Sequence, residues 1–336
     1  MRWSFKTLEK SIFIGVLALS LGGCSTSRPP EDFAEPQLRR VFLMGTWLDF
    51  ECSQACSSQL LAQTSDHGFE VIRELEAVWS TWRPDSVLNG LNRAPRGAWE
   101  ASVLRSDLRR VLDLSEKLEG AFHPGLGLWI LASRVREGRA SAQALERFSR
   151  RHRIPRSPRE DHWSWEEGGF AKGLALDRAS EVLAAEHPAL KAWTMDFGGQ
   201  ILHRGPKRRS IRIRSFHSNP AVKMPEFWIQ NESVASSGQV ERPGHLLDPF
   251  TGKMVADLGS VSVIHASALV ADMVSTALAV FGPEKSESWW RRHRWDTEFQ
   301  GLEWIWFERS GRVRMSSGMK GRLTEGGPSL IESHSQ

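Results

Sequence analysis

The chain carries the stretch Glu166-Glu167-Gly168-Gly169-Phe170-Ala171-Lys172-Gly173-Leu174-Ala175-Leu176-Asp177, in which two acids and two glycines lead into a helical pattern. Glycines let a backbone approach a ligand closely, and a helix N-terminus offers free N–H groups to an anion. Lys172 adds a mobile cation, so this stretch could hold a pyrophosphate. Its glycine spacing matches neither the dinucleotide-binding fingerprint nor a Walker motif. Taken alone, such a stretch is more often a simple turn before a helix.

Strand and helix patterns alternate irregularly on both sides of this stretch. Apolar residues at helical spacing predict helices over 66–82, 102–118, 171–185 and 266–281. Alternating patches predict strands over 41–51, 193–203, 209–216, 226–235, 259–265, 302–308 and 311–315, and the basic segment 132–160 is typical of surface helix and loop. Because regular βαβ alternation is missing, the pattern predicts an α+β fold.

The composition is that of an ordinary globular protein, with 40% hydrophobic and 25% charged residues. A formal net charge of +4 is small for 336 residues, so charge gives no support for nucleic-acid binding.

The N-terminal segment has the features of an export signal. A basic start precedes the apolar run Ile12 to Leu21, which is too short to span a bilayer comfortably and is typical of a signal peptide. The run ends in Leu21-Gly22-Gly23-Cys24, which resembles a bacterial lipobox. We therefore expect a lipoprotein signal peptide over 1–23, acyl chains on Cys24 and a flexible tether over 24–40. The alternatives are a cleaved signal with a chance Cys and an uncleaved anchor.

Export would place the folded part of the chain in an oxidising compartment. With Cys24 lipidated, Cys52 and Cys56 remain as an even pair that flanks a short loop. Two thiols without His neighbours make a poor metal site, so the sequence favours a small disulfide loop here.

Two further groups of residues could carry chemistry. Asp272 and Thr276 lie four residues apart and therefore share one face of the predicted helix 266–281. Such oxygen ligands suit Mg²⁺, although a polar pair on an exposed helix face is the alternative reading. His245, which precedes Leu246-Leu247-Asp248-Pro249, could act as a general base near neutral pH, whereas the Asp-Pro sequence is equally typical of a turn.

Taken in order, these segments resemble the ApbE family of FAD:protein FMN transferases. The resemblance covers residues 41–315 and rests on segments that occur in the family's order. They are Met44-Gly45-Thr46, Ser80 to Ser86, Leu91-Asn92, Gly120-Ala121-Phe122, Gly168 to Asp177, Gly198-Gly199, Ser236-Ser237-Gly238, His245 to Pro249 with Thr251-Gly252, and Ala271-Asp272 with Thr276-Ala277.

The resemblance implies a two-lobed α+β fold with antiparallel sheets, packed helices and FAD in the groove between the lobes. It also implies a reaction in which a Thr or Ser hydroxyl of a target protein attacks the FMN phosphorus of FAD, with Mg²⁺ on the pyrophosphate, and AMP leaves. Phosphoryl transfer of this kind needs charge neutralisation and positioning more than covalent chemistry.

The resemblance also assigns roles to residues of this chain. Asp272, Thr276 and the Gly169 carbonyl match the metal ligands, and His245 matches the residue that deprotonates the incoming hydroxyl. Met44 and Trp82 match positions beside the isoalloxazine, where Trp82 keeps the stacking surface of the Tyr that is common there. The remaining matches to FAD contacts are Ala121, Phe122, His123, Glu166, Lys172 and Leu246.

The chain departs from the family pattern at several positions. His123 replaces a common Asp and so introduces a possible cation, Glu166 lengthens the arm of a common Asp, and Glu167 replaces an apolar residue. Leu174 replaces a Tyr, and Gln200 stands where an acid is common after Gly-Gly. None of these changes removes a metal ligand or His245, so the sequence predicts an active enzyme.

Two alternatives follow from the same residues. The first is an FAD pyrophosphatase, in which water attacks and FMN and AMP are released; the second is a non-catalytic FAD-binding lipoprotein. For the transferase we expect a flavin-acceptor subunit of a membrane electron-transfer complex as partner, and a lipid-anchored location in the cell envelope on its periplasmic side. The Gly- and Ser-rich segment 316–336 is predicted to be disordered.

Overall fold

A large antiparallel sheet lies at the centre of the structure, a computed structural model that describes residues 37–52, 56–95, 97–136, 164–213, 225–239 and 246–324. Its strands are β1 (Gln37–Leu43), β2 (Thr46–Cys52), β3 (Trp193–Phe197), β4 (Gln200–Arg204), β7 (Ser233–Gly238), β8 (Gly259–His265), β9 (Glu303–Glu308) and β10 (Val313–Met315), in that spatial order. The strands β5 (Arg209–Arg212) and β6 (Glu226–Ile229) form a separate two-stranded ribbon. All strand pairs are antiparallel, as predicted.

Helices cover one face of the sheet. They are α1 (Ser58–Trp79), α2 (Val87–Arg93), α3 (Arg105–Lys117), α4 (Gly127–Arg136), α5 (Ala171–Glu186) and α6 (Ala268–His293), with 3₁₀ turns at Ala98–Ala101, Thr297–Phe299 and Ser317–Arg322. One hydrophobic cluster packs α1 and α5 on β2 to β4, and a second packs α3 and α6 on β7 to β9. A third cluster joins the β5–β6 ribbon to the opposite face of the sheet. The predicted α+β class is confirmed.

The strand predicted over 41–51 is in fact a hairpin of β1 and β2. Leu43 pairs with Thr46, and the two residues between them, Met44 and Gly45, have φ angles of 45° and 75°. Positive φ at both central residues is the turn whose twist suits a two-residue hairpin. Met is an unusual residue at φ > 0, so this turn could not be predicted from its residue types alone. The predicted tether over 24–40 is also wrong for residues 37–40, which belong to β1.

The last helix is longer than predicted. The pattern over 266–281 ends where Gly282-Pro283 begins, and that pair is normally a helix stop. In the structure Gly282 has a φ of 76° and kinks the chain, after which α6 continues to His293. The second part is held by Ser286, whose hydroxyl donates to the carbonyl of Gly282 at 2.7 Å and accepts from Trp306 Nε1 at 3.0 Å.

The prediction of disorder from residue 316 is wrong for residues 316–324. The 3₁₀ turn Ser317–Arg322 buries Met319 in the third hydrophobic cluster. Arg322 forms a two-point ion pair with Glu232, with N–O distances of 2.6 and 2.8 Å. Residues 325–336 lie outside the described part of the chain, and so do residues 1–36 with the signal peptide and Cys24.

Cys52 and Cys56 are buried thiols in the structure and do not form the predicted disulfide. Burial, together with a hydrogen bond to Cys52, raises the pKa of the Cys56 thiol to about 12. Cys52 Sγ also donates to the carbonyl of Ala192 at 3.8 Å. Both side chains therefore act as small apolar residues of the core beside α1. Within the described residues, no helix is both long enough and apolar enough to cross a membrane.

Candidate functional site

A cavity of about 750 Å³ lies between the start of α5, the first third of α6 and the turns of the two hairpins β1–β2 and β3–β4. Its volume is within the range of about 300–1,000 Å³ that is usual for small-molecule and cofactor sites. The predicted site residues that the structure describes all line it. They are Met44, Trp82, Ala121, Phe122, His123, Glu166, Gly169, Lys172, Leu246, Asp272 and Thr276. His245 and Cys24 lie outside the described residues, so their predicted roles stay predictions.

The glycine-rich stretch forms the start of α5, as the sequence predicted. A Cβ atom on Gly169 would lie 2.7 Å from the ring of Phe122 and 3.3 Å from Thr276 Oγ1. Only glycine therefore allows the backbone to pass this close to both side chains. Phe170 is fully buried and meets Trp79 and Phe122 edge-on, with ring centroids 5.3 and 6.4 Å apart. These aromatic contacts fix the direction in which α5 leaves the cavity.

Asp272 and Thr276 enter the cavity from α6 and face the start of α5. Asp272 is 5% exposed, and its Oδ2 accepts a hydrogen bond from the N–H of Gly173 at 3.1 Å. Burial raises the pKa of this carboxyl, while Lys172 and the Gly173 N–H act in the opposite direction. Thr276 Oγ1 donates to the carbonyl of Asp272 at 3.1 Å, which leaves the oxygen's acceptor side available.

These donors fit a hard divalent cation. A carboxylate, a hydroxyl and the Gly169 carbonyl are oxygen ligands of the kind that Mg²⁺ takes together with water and phosphate oxygens. Burial disfavours the charged form of the Asp272 carboxyl, and a cation beside it would stabilise that form. The described residues contain no cluster of three or more His, Cys, Asp or Glu side chains suited to a metal ion.

Asp177 fixes the start of the helix that carries this carboxylate. Its Oδ1 accepts from the N–H of Ala268 at 2.7 Å, and its Oδ2 accepts from Ser267 Oγ at 2.6 Å and from the N–H of Leu269 at 3.1 Å. A carboxylate at this end also interacts favourably with the helix dipole. One turn earlier on α5, a Cβ on Gly173 would lie 2.4 Å from the carbonyl oxygen of Ala268. The two helices therefore cross in direct backbone contact.

The loop after α1 carries Trp82 on the rim of the cavity, with 67% of its surface exposed. Asn89 Nδ2 holds this loop by donating to the carbonyls of Thr81 and Arg83 at 2.8 and 2.7 Å. Glu167 Oε1 accepts from both the N–H and the hydroxyl of Thr81, at 3.0 and 2.9 Å. Glu167, which departs from the family pattern, therefore links the glycine-rich stretch to the Trp82 loop.

Met44 also lines the cavity, on the turn between β1 and β2. Its N–H donates to Glu76 Oε1 at 2.9 Å, which ties the hairpin turn to α1. The turn of the neighbouring hairpin packs directly on it, because the N–H of Gly198 donates to the carbonyl of Trp47 at 3.0 Å. Both turns line the cavity.

His123 is half-buried and accepts a hydrogen bond through its imidazole, and the possible cation at this position stays a prediction. Burial lowers the pKa of its imidazole. Its Nδ1 accepts from the N–H of Gly125 at 3.0 Å, so the ring proton is placed on Nε2. The loop that carries it is anchored by Ser115 Oγ, which donates to the carbonyl of Phe122 at 2.7 Å.

The structure adds residues to the cavity that the sequence reasoning did not assign to it. Glu76, Asp196, Gln200 and Arg212 are polar examples among its lining residues. Gln200 follows the quoted Gly198-Gly199 pair, so its position next to a turn was a usable signal. Glu76 and Arg212 lie in an ordinary helical and an ordinary strand pattern, which gave no such signal.

This arrangement defines a class of protein: an α+β protein in which a glycine-rich helix start, a buried carboxylate with a neighbouring hydroxyl and an exposed tryptophan line one cavity. A sequence model of the ApbE family matches residues 44–299. The chain therefore belongs to the ApbE family.

Two relatives cover most of the chain. An FAD:protein FMN transferase of Treponema pallidum is 31% identical over 297 residues, which span 76% of this chain and 80% of the relative. An FAD:protein FMN transferase of Chlamydia pneumoniae is 26% identical over 314 residues, spanning 84% and 94%.

Solved structures share the fold. The flavin transferase ApbE from Vibrio cholerae superposes with a TM-score of 0.65 at 19% identity, covering 86% of this chain and 99% of that one. The apo form of the Pseudomonas stutzeri flavinyl transferase ApbE gives a TM-score of 0.65 at 21% identity and covers 87% and 98%. At this level of identity the likeness concerns the fold.

Proposed function

We propose that this chain is an Mg²⁺-dependent FAD:protein FMN transferase that attaches FMN to a Thr or Ser hydroxyl of a target protein and releases AMP. The observation that carries the proposal is the convergence on one cavity of the predicted site residues that the structure describes. They come from segments between Met44 and Thr276 that are far apart in the chain. The names of the full-length relatives point to the same activity.

The reaction is a displacement at the FMN phosphorus of FAD. The hydroxyl oxygen of the target forms a bond to that phosphorus, the bond from the phosphorus to the bridging oxygen breaks, and AMP leaves with the bridging oxygen. The start of α5 and the half-buried Lys172 provide the positive potential that such a pyrophosphate needs. Trp82 and Met44, which both line the cavity, provide apolar surface for the flavin ring.

Asp272, Thr276 and the Gly169 carbonyl would hold the magnesium ion. When bound, Mg²⁺ withdraws electron density from the pyrophosphate and neutralises charge that develops on the leaving AMP. The Gly173 N–H keeps the Asp272 carboxylate oriented through its hydrogen bond to Oδ2. His245 is proposed to take the proton of the incoming hydroxyl, on the strength of the sequence resemblance alone.

The acceptor and the location also rest on the sequence. We propose a flavin-acceptor subunit of a membrane electron-transfer complex as target, and attachment of this chain to the membrane by acyl chains on Cys24, facing the periplasm. Mass spectrometry of the protein from a membrane fraction tests the anchor: an acylated Cys24 at the N-terminus is expected. An intact segment 1–23 would overturn it.

The activity is tested by incubating the purified chain with FAD and MgCl₂, alone and with a candidate acceptor domain, followed by intact-mass spectrometry. An FMN-sized mass gain on the acceptor is expected, together with AMP. Asp272→Asn and His245→Ala should abolish the gain. Asp113→Asn, which alters an exposed carboxylate on α3, is the matched control and should leave it unchanged.

Other outcomes discriminate between the alternatives. Release of AMP and free FMN at the same rate with and without acceptor would contradict the transferase and identify a pyrophosphatase. Tight FAD binding without any product would contradict both enzyme activities. An acceptor whose target Thr or Ser is replaced by Ala must show no mass gain, because otherwise the attacking group is not that hydroxyl.

A further inference from the structure

Gln200, a residue of the cavity wall, carries a buried side-chain acceptor. The side chain is 2% exposed, and its Nε2 donates to the carbonyl of Ala268 at 2.9 Å. Because a carbonyl oxygen can only accept, that bond assigns the nitrogen and the oxygen of the side-chain amide. Its Oε1 is buried and has no hydrogen-bond partner among the residues that the structure describes, and Gln200 is one of the residues that line the cavity. A buried carbonyl oxygen without a donor is costly, and a bound ligand is one source of the missing donor.

The backbone around Gln200 is held firmly, which gives this oxygen a defined position. Phe197 pairs with Gln200 across a two-residue turn, in which Gly198 and Gly199 have φ angles of 61° and 88°. The N–H of Gly199 donates to Asp196 Oδ1 at 2.8 Å. The oxygen is therefore part of a pre-formed wall and not of a loose surface side chain.

Gln200 lies between the two ends of the proposed ligand site. On one side, a Cβ on Gly198 would lie 2.5 Å from Thr46 Oγ1, so this turn packs on the turn that carries Met44. On the other side, the Gln200 amide is bonded to Ala268, one helical turn before Asp272 on α6. In FAD, the part that joins the flavin ring to the phosphate is the ribityl chain, which carries three hydroxyl groups.

We infer that Gln200 is a binding residue for the flavin half of FAD, and that its Oε1 accepts a hydrogen bond from a ribityl hydroxyl. The inference rests on the proposed function, since it takes FAD as the ligand and places the flavin ring beside Met44 and Trp82. It assigns to this chain a contact that recognises the polyol and not the ring or the phosphates. The contact acts in FAD and in the FMN product alike.

Flavin binding without phosphate or metal tests this assignment. Riboflavin carries the ribityl chain, whereas lumiflavin has a methyl group in its place, and both are fluorescent probes for a titration. Gln200→Met keeps the length of the side chain and removes the acceptor. It should weaken riboflavin binding about 3- to 10-fold, the effect of one neutral hydrogen bond, and leave lumiflavin binding unchanged.

Gln200→Glu is the conservative variant, because a carboxyl keeps an acceptor oxygen in either protonation state. It should restore the preference for riboflavin over lumiflavin that Gln200→Met loses. Circular dichroism melting curves show whether each variant is folded. An equal loss for both probes in Gln200→Met, or no loss for riboflavin, would overturn the inference while leaving the transferase intact. A wild-type chain that binds neither riboflavin nor FAD would overturn the inference and the proposed function together.

Discussion

Replacing Asp177 by Ala removes the acceptor that holds the N-terminus of α6, and the structure allows the effect to be estimated. Three donors converge on this carboxylate at 2.6, 2.7 and 3.1 Å, and the side chain is 8% exposed. Removing a helix N-terminal acceptor costs about 0.5–2 kcal/mol, and hydrogen bonds to a charged group contribute about 1.5–3 kcal/mol each. Because these contributions overlap, we expect a loss of about 2–4 kcal/mol in the free energy of unfolding.

Thermal unfolding followed by circular dichroism measures this loss. With about 2–4 °C per kcal/mol for a domain of this size, Asp177→Ala should lower Tm by roughly 5–15 °C. Asp177→Asn keeps one acceptor oxygen and should lie between the variant and the wild type. Glu181→Ala is the matched control on the same helix, because Glu181 forms an exposed ion pair with Arg178. A Tm within about 1 °C of wild type for Asp177→Ala, or an equal drop for Glu181→Ala, would show that Asp177 does not stabilise the start of α6 in this way.

Three further expectations follow from the same geometry. Gly173→Ala should destabilise the fold by about 1–3 kcal/mol in urea titrations, because the new Cβ would lie 2.4 Å from the Ala268 carbonyl, whereas Gly90→Ala, with open space around it, should be neutral or stabilising. Asp272→Asn should raise Tm in EDTA at neutral pH, because burial raises the pKa of this carboxyl and disfavours its charge. The same variant should abolish any stabilisation by MgCl₂. A Tm below that of wild type in EDTA would contradict the expected cost of the buried charge. Burial lowers the pKa of His123, so the stability that this side chain contributes is present above the unfolded-state pKa of about 6.5 and is lost as pH falls below it. His123→Gln should therefore flatten the fall in unfolding free energy between pH 7.5 and 5.5. An unchanged slope would contradict a lowered pKa at His123.

Much of the site could be predicted from the sequence because its parts lie on regular elements with strong local signals. The glycines before residue 171 mark the start of α5, and the strand 259–265 was predicted with the observed bounds. The i, i+4 spacing of Asp272 and Thr276 placed both on one helix face. Their approach to Gly169 could be predicted only through the family resemblance, since no local pattern encodes a distance between two helices.

The contacts that hold the site together could not be predicted from local patterns. Asp177 lies mid-helix in α5, and its function depends on where the next helix begins some ninety residues later. Glu167 and Thr81 likewise meet across 86 residues of chain. Each of these bonds is a tertiary contact, which propensity and periodicity do not report. The turn at Met44 could not be predicted for the same reason. Its N–H is held by a hydrogen bond to Glu76, a contact with another element that the residues of the turn do not indicate.

The backbone contact between Gly173 and Ala268 closes one side of the cavity. The glycine-rich stretch, the Asp272 carboxylate and the capped start of α6 are joined through this crossing. The exposed Trp82 stands on a loop that Asn89 holds and that Glu167 joins to the glycine-rich stretch. A ligand that enters at this rim meets the tryptophan, whereas the side made by the two helices is closed by backbone contact.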